Sequence, residues 1–218
     1  MPRTLFIGDI QGCYDEFIEL LEKLQYNPEN DQLFLVGDTI NRGPKSHLML
    51  QHLLEHPEIK SVKGNHEHYF IEYVEKNLDN SSSFKRIKEQ CGDHLEEYIH
   101  MIKAWPYFIE EPNWLLVHAG LLPERKPENT HVRELCSVRE VKHREIKAPW
   151  FKFYKCSKPI IYGHWAQKGL TIRKNTKGLD SGCVYGKELS AYILEENMVI
   201  SVKAHRVWYD PVKKIELW

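Results

Sequence analysis

The sequence predicts an α/β layered fold, and three features carry that prediction. Five short apolar runs each end in a tiny residue and a metal-ligating type: "TLFIGDIQG", "LFLVGDTINRGP", "SVKGNHEH", "LLVHAG" and "IIYGHW". Helical spacing of apolar residues separates the early runs. Near the end, "LSAYILEENMVISVKAHRVWY" alternates apolar with polar residues. Short β-branched or aromatic runs stopped by Gly-marked turns are the pattern of buried strands. Strands alternating with helices build a sheet with helices packed on it.

The elements follow in order. After the first strand, Tyr14, Phe17, Leu20, Leu21 and Leu24 fall on one helical face. The run "LFLV" is the second strand, and Leu50, Leu53 and Leu54 mark the second helix. The block "SVKGNHEH" ends the third strand. Residues of about 67–112 read as a helical insertion, two helices joined by "LDNSSS", where Asn and Ser cluster as a loop. Strands four and five are "WLLV" and "IIY". Between them, about 121–158, lies a polar, irregular cap segment rich in Arg and Lys. Its aromatic stretch "APWFKFYK" suits either packing onto the core or stacking on a base. The closing alternation around "EEN" is a hairpin that completes the sheet. No linker or repeat divides the chain, so 1–218 is a single domain.

Bulk properties narrow the function. A chain of 218 residues is long enough for a sizeable core. No apolar run approaches the ~20 residues of a membrane span, and "MPRTLFIGD" has no signal-peptide core. With 30 basic and 31 acidic side chains, no basic surface calls for nucleic acid. The five cysteines, Cys13, Cys91, Cys136, Cys156 and Cys183, are odd in number and form no CxxC pair. That argues against a disulfide framework or structural zinc and for a reduced, cytoplasmic setting.

Ligands of α/β sheets gather at the carboxyl ends of the strands, which puts Asp9, Asp38, Asn65, His118 and His164 on one rim. Any one of them alone would read as a helix cap or loop residue. Five such residues with adjacent glycines read as a site. Oxygen and nitrogen donors without thiolate suit Mn²⁺, Fe, Zn²⁺ or Co²⁺ better than Ca²⁺. Five donors exceed the needs of one four-coordinate ion and suit two ions sharing a carboxylate, for which Asp38 is the candidate. Paired ions activate a water and neutralise phosphoryl oxygens. Arg42 can hold a phosphate through two parallel hydrogen bonds. His66 is placed to protonate a leaving oxygen.

The blocks "GDIQG", "GDTINRG", "GNHE", "HAG" and "GH", spanning residues 8 to 164, resemble in order and spacing the calcineurin-like metallophosphoesterases, within the phosphoprotein-phosphatase superfamily. "GCYDEF", "NRGP", "YGHWA" and "LDSGCVYGKELSAY" are similar to its bacterial branch, which holds symmetrical bis(5′-nucleosyl)-tetraphosphatases and small Ser/Thr-type phosphatases. The resemblance implies a four-layer αββα sandwich and two divalent ions. Asp9 and Gln11 would hold the first ion, Asp38 would bridge, and Asn65, His118 and His164 would hold the second. His66 would be the general acid, with Arg42 on the phosphate. Arg139 stands about where a second phosphate-binding Arg belongs, with Arg133 and Arg144 as neighbours.

Two positions depart from the wider pattern. Gln11 replaces a His, and its amide oxygen donates less to a borderline metal, so the first site should be weaker and favour Mn²⁺ over Zn²⁺. Asn41 replaces the Asp that pairs with the catalytic His, and a neutral amide can orient His66 while raising its pKa less. Both point to the nucleotide branch and to cleavage of diadenosine tetraphosphate into two ADP. A phosphomonoesterase acting on phosphoproteins and a non-catalytic nucleotide- or metal-binding protein are the alternatives. A tetraphosphate-capped RNA end offers the same chemistry. Only 45 residues separate His118 from His164, a short interval that would leave a reduced cap. Replacing Gln11→His is expected to tighten the first ion without abolishing activity, as read by metal titration. Loss of both metal and fold would contradict that role.

Overall fold

The computed structural model describes residues 2–218. In chain order the first elements are β1 (Arg3–Ile7), α1 (Tyr14–Leu24), β2 (Asp31–Leu35), α2 (Ser46–Glu55), β3 (Lys60–Ser61) and α3 (Asn65–Glu75). Next come α4 (Ser82–Cys91), α5 (Leu95–Ala104), β4 (Phe108–Glu111) and β5 (Trp114–Val117). The cap holds α6 (Val132–Ser137) and the hairpin β6 (Glu140–His143) and β7 (Ile146–Pro149). Then follow β8 (Ile160–Tyr162), β9 (Thr171–Ile172), β10 (Thr176–Gly178), β11 (Glu188–Ile193) and β12 (Met198–Lys203). A last hairpin, β13 (Tyr209–Asp210) and β14 (Ile215–Glu216), ends the chain.

Two five-stranded sheets face each other. The first has the order β12-β11-β1-β2-β3 and the second β4-β5-β8-β10-β9. In the first sheet β1, β2 and β3 run parallel while β11 and β12 join antiparallel; in the second the central pairs are parallel and the two edge pairs antiparallel. Strand alternation sorts the side chains. Phe6, Phe34, Val36, Trp114, Leu116 and Ile161 point between the sheets and pack together. Their neighbours Leu5, Ile7, Leu33 and Leu35 face outward onto Phe17, Leu20, Met49 and Leu53 of α1 and α2. Both faces of the strands are thus buried, which is why the strands read as continuous apolar runs.

The fold class is an α/β sandwich of two sheets with helices outside them. Its outer layer over the second sheet is thin. Leu115, Val117, Ile160 and Tyr162 are covered by the six-residue α6 and by Val141, Trp150 and Phe151 of the cap. Trp150 and Phe151 are therefore packing residues, which decides the aromatic stretch in favour of core over base stacking. The insertion holds three helices where two were expected, because α3 already begins at Asn65 and Gly92 interrupts the next run. Gly92 has φ +52, a left-handed turn that an α-helix cannot continue through. The stretch also ends earlier than expected, since β4 belongs to the second sheet. Phe70, Ile87, Tyr98 and Ile102 of these helices pack on Ile40 and Leu50, so the insertion braces the loop after β2.

Phe6 contacts Phe34 and Tyr192 of its own sheet at ring-centroid distances of 5.5 and 6.5 Å and Trp114 of the second sheet at 5.0 Å, tying one sheet to the other. Phe6→Ala is expected to cost about 3–5 kcal/mol in urea unfolding. A loss below about 1 kcal/mol would show that the sheets do not depend on this contact.

Candidate metal centre

The site lies where β1, β2, β3, β5 and β8 end. Gln11 donates its N–H to the Asp38 carbonyl at 2.8 Å and Gly12 donates to Thr39 at 2.9 Å, joining the first two loops. Gly43 and Lys45 donate back to Gln11 and Gly12 at 2.8 and 3.0 Å. Gln11, Asp38, Asn41, Arg42 and His164 all adopt positive φ, a strained conformation for non-glycine residues that their surroundings must enforce.

Glu67 supplies much of that enforcement. Its buried carboxylate accepts the N–H groups of Asp38, Thr39 and Gly64, each at 2.8 Å, and the Thr39 hydroxyl at 3.0 Å. The Asp38 carboxylate in turn accepts the His66 N–H at 2.9 Å, at the start of α3. A Cβ on Gly64 would sit 2.1 Å from Asp38 Oδ1, and one on Gly163 would sit 1.9 Å from Asp9 Oδ1. Only glycine lets these backbones approach the two carboxylates so closely.

His118 is fully buried. Its Nδ1–H donates to the Val36 carbonyl at 2.8 Å, leaving Nε2 3.2 Å from Asn65 Oδ1 and 3.4 Å from Asp38 Oδ1. The backbone N–H of His164 donates to both Asp9 oxygens at 3.1 Å. His164 Nε2 is buried and has no hydrogen-bond partner. Donor atoms of Asp38, His118 and His164 lie within 4.8 Å of one another. An orphaned imidazole nitrogen beside a carboxylate and a second imidazole fits a transition-metal ion. Asn65 converges on the same point. Asp9 and Gln11 stand on the adjoining loop, with Gln11 lining the cleft beside Asp38.

Electrostatics fit the same reading. Burial, reinforced by Asp180, pushes the Asp9 carboxyl well up. Burial and the Asp38 charge hold Asp180 up at about 6. For His118, burial is outweighed by Asp38, which lifts the imidazole to about 10. Burial opposes ionisation of Asp38, yet the imidazoles of His118 and His66 hold its carboxyl far below the usual range. Three buried carboxylates around two imidazoles make a strongly cation-seeking site.

His66 Nδ1–H donates to the Ile40 carbonyl at 3.1 Å, so Nε2 is the free ring nitrogen, 3.7 Å from Asp38 Oδ2. The expected orienting contact from Asn41 is absent. Asn41 Oδ1 accepts the Arg42 N–H at 2.8 Å and the Ser83 hydroxyl, fastening α4 to the loop, and the Ile40 carbonyl orients His66 in its place. Burial pushes the His66 imidazole down to about 4 against the pull of Asp38. Arg42 and Arg139 line a cleft of about 480 Å³ with Gln11, Asp38, Asn65, His66 and His164. Arg139 Nη2 donates to the His164 carbonyl at 3.2 Å. Arg144 pairs with Glu124, away from this cleft.

Three residues of the site escaped the sequence reading. Glu67 was detectable as the N3 glutamate of α3, whose carboxylate reaches back to the N–H of the N-cap Gly64. Asp180 follows β10 in "KGLDSG", a sixth use of the same strand-to-ligand wording. Lys187 lines the cleft without any local signal.

A two-sheet sandwich with these donors at its strand ends is a metallophosphoesterase. The chain belongs to the calcineurin-like phosphoesterases, whose family profile matches residues 2–200, and is a phosphohydrolase. It is similar to a symmetrical bis(5′-nucleosyl)-tetraphosphatase of Dechloromonas aromatica, 29% identical, with 97% of this chain and 99% of the relative aligned. That alignment runs over 278 positions, more than the 218 residues present here, so the relative carries segments without a counterpart. A crystal structure provisionally described as a diadenosine tetraphosphatase superposes with TM-score 0.82 at 28% identity, covering 94% of this chain and 96% of that one. A Saccharomyces cerevisiae protein serine/threonine phosphatase shares the fold, with TM-score 0.59 at 15% identity over 96% of this chain and 82% of that one.

Gly163→Ala is expected to displace the Asp9 carboxylate and weaken Mn²⁺ binding at least about tenfold, by calorimetry, while the chain still folds. Unchanged affinity would remove Asp9 from the metal site.

Proposed function

We propose that the protein is a dinuclear metal-dependent hydrolase of dinucleoside tetraphosphates that cleaves diadenosine tetraphosphate symmetrically. Water adds across the central P–O–P bond and two ADP leave. The observation that carries this reading is the end-to-end match to a relative named for that activity. The cleft supports it: Arg42, Arg139 and Lys187 line it, and none has a carboxylate partner among the described residues. One phosphate does not need three free cations, whereas a phosphate chain does.

Asp38 is read as the shared ligand, Asp9 and Gln11 as ligands on one side, and Asn65, His118 and His164 on the other. Mn²⁺ is the favoured ion, given the weak amide donor of Gln11. When bound, two such ions supply Lewis-acid charge to phosphoryl oxygens and lower the pKa of water. Arg42 and Arg139 bind and orient the phosphates. His66 Nε2, facing the cleft, exchanges the leaving-group proton, and the negative charge of the phosphate chain beside it raises the imidazole back towards neutrality. A cytoplasmic location fits the five free cysteines. No helix among the described residues is long and apolar enough to cross a membrane.

The short cap supports a second reading, a phosphomonoesterase with an open groove suited to phosphoproteins. Metal-stripped protein is assayed on diadenosine tetraphosphate with and without Mn²⁺, and products are separated by chromatography. ADP as sole product, dependent on Mn²⁺, is expected. AMP with ATP, or no turnover while an aryl phosphate is hydrolysed, would refute the symmetrical reading.

A further inference from the structure

The chain after β12 has no part in either sheet, yet it returns to the phosphate site. Ala204 donates its N–H to the Lys187 carbonyl at 2.8 Å, and Trp208 and Tyr209 donate theirs to Val184 at 3.0 Å. An isolated bridge pairs Val207 with Tyr185. Glu16 Oε1 anchors the same segment by accepting the His205 N–H at 3.0 Å and the Trp208 indole N–H at 2.7 Å. Residues 204–209 are thereby laid along the 184–187 loop, and Tyr209 arrives beside Tyr185 at 6.1 Å between ring centroids.

Both rings belong to the surroundings of Arg42. Its guanidinium carbon lies 5.2 Å from the Tyr209 ring and 5.7 Å from the Tyr185 ring. Arg42 Nη1 donates to the Tyr185 hydroxyl at 2.5 Å. The hairpin β13–β14 then brings Trp218 back, and its indole N–H donates to the Arg42 carbonyl at 2.8 Å. Arg86 holds that indole from the far side, 4.7 Å over the ring, and pairs with Glu216. Arg42 itself has φ +64 and follows Asn41 at φ +83, so its backbone preference does not hold this geometry.

We propose that Tyr209 and Trp218 are positioning residues that set Arg42 for phosphate binding, which makes the segment 204–218 a working part of the site. The physical logic lies in what the cradle omits. A carboxylate would orient the guanidinium and also neutralise it. Two aromatic faces and a phenol oxygen fix its plane while leaving the charge for an anion. Tyr185 holds Arg42 chiefly through its hydroxyl, and Tyr209 brings the nearer ring, 5.2 Å from the guanidinium carbon. This proposal rests on Arg42 being a phosphate ligand.

The test measures inorganic phosphate binding to the full-length, Mn²⁺-loaded protein by calorimetry, with kcat and KM for an aryl phosphate alongside. Tyr209→Ala is expected to weaken phosphate binding about tenfold, and Tyr209→Phe to stay within about twofold, because the face and not the hydroxyl acts. The Mn²⁺ stoichiometry should be unchanged. In an Arg42→Ala background, Tyr209→Ala should cause no further loss, since its effect runs through the guanidinium. Trp218→Phe keeps an aromatic ring near Arg86 but removes the N–H together with the fused pyrrole ring, and should raise KM about threefold. An undiminished Tyr209→Ala effect in the Arg42→Ala background, or wild-type phosphate affinity in Tyr209→Ala, would overturn the proposal. Wild-type affinity in Arg42→Ala would overturn it at its premise, the phosphate role of Arg42.

Discussion

The site depends first on one buried carboxylate. Glu67 sits with no solvent exposure between the loop after β2 and the start of α3, accepting backbone N–H groups from both. Those donors would otherwise be orphaned in the interior, at a cost of about 1–3 kcal/mol each. Burial pushes the Glu67 carboxyl up, and only this convergence of donors makes the position tolerable. The same bonds hold Asp38 in its left-handed conformation and present Asn65 and His66 from the first turn of α3. A neutral amide there would replace an acceptor oxygen with a donor facing donors. Glu67 touches no ligand-binding atom of the cleft, yet it sets the positions of three candidate site residues.

The two sheets supply the rest of the frame. Period-2 alternation sends Phe6, Phe34 and Leu116 between the sheets, so the strand ends stop at one level and the loops meet on one rim. Glycines at 64 and 163 let the backbone press against the carboxylates of Asp38 and Asp9. Asp9, Asp38 and Asp180 crowd a desolvated space, and a divalent charge relieves their repulsion. Metal binding and local stability are coupled here in the same free energy. The helical insertion supports this frame from outside, through Ile40 and through Ser83 on Asn41.

The five strand-to-ligand blocks, the first two helices and the β11–β12 hairpin were legible because each rests on local periodicity and a local turn. The third strand was legible by its ending although only Lys60–Ser61 pair. What could not be seen was set by contacts distant in sequence. Asn41 was expected on His66 and bonds to Ser83, because the path of α4 over the loop is tertiary. Trp150 and Phe151 lie in polar text, yet they cover the second sheet where no long helix does. The cradle of Arg42 joins residues more than 140 positions apart. Glu67 is the instructive miss, since a glutamate at N3 of a helix is a local signal, here masked by the ligand types beside it.

In the proposed centre Asp38 is shared by two ions, one side completed by Asp9 and Gln11 and the other by Asn65, His118 and His164. Anomalous diffraction from crystals soaked in Mn²⁺ tests it directly. Two anomalous peaks, both in contact with the Asp38 carboxylate and each reached by its own ligand set, are the predicted result. A single peak, or two peaks that do not share Asp38, would contradict the account.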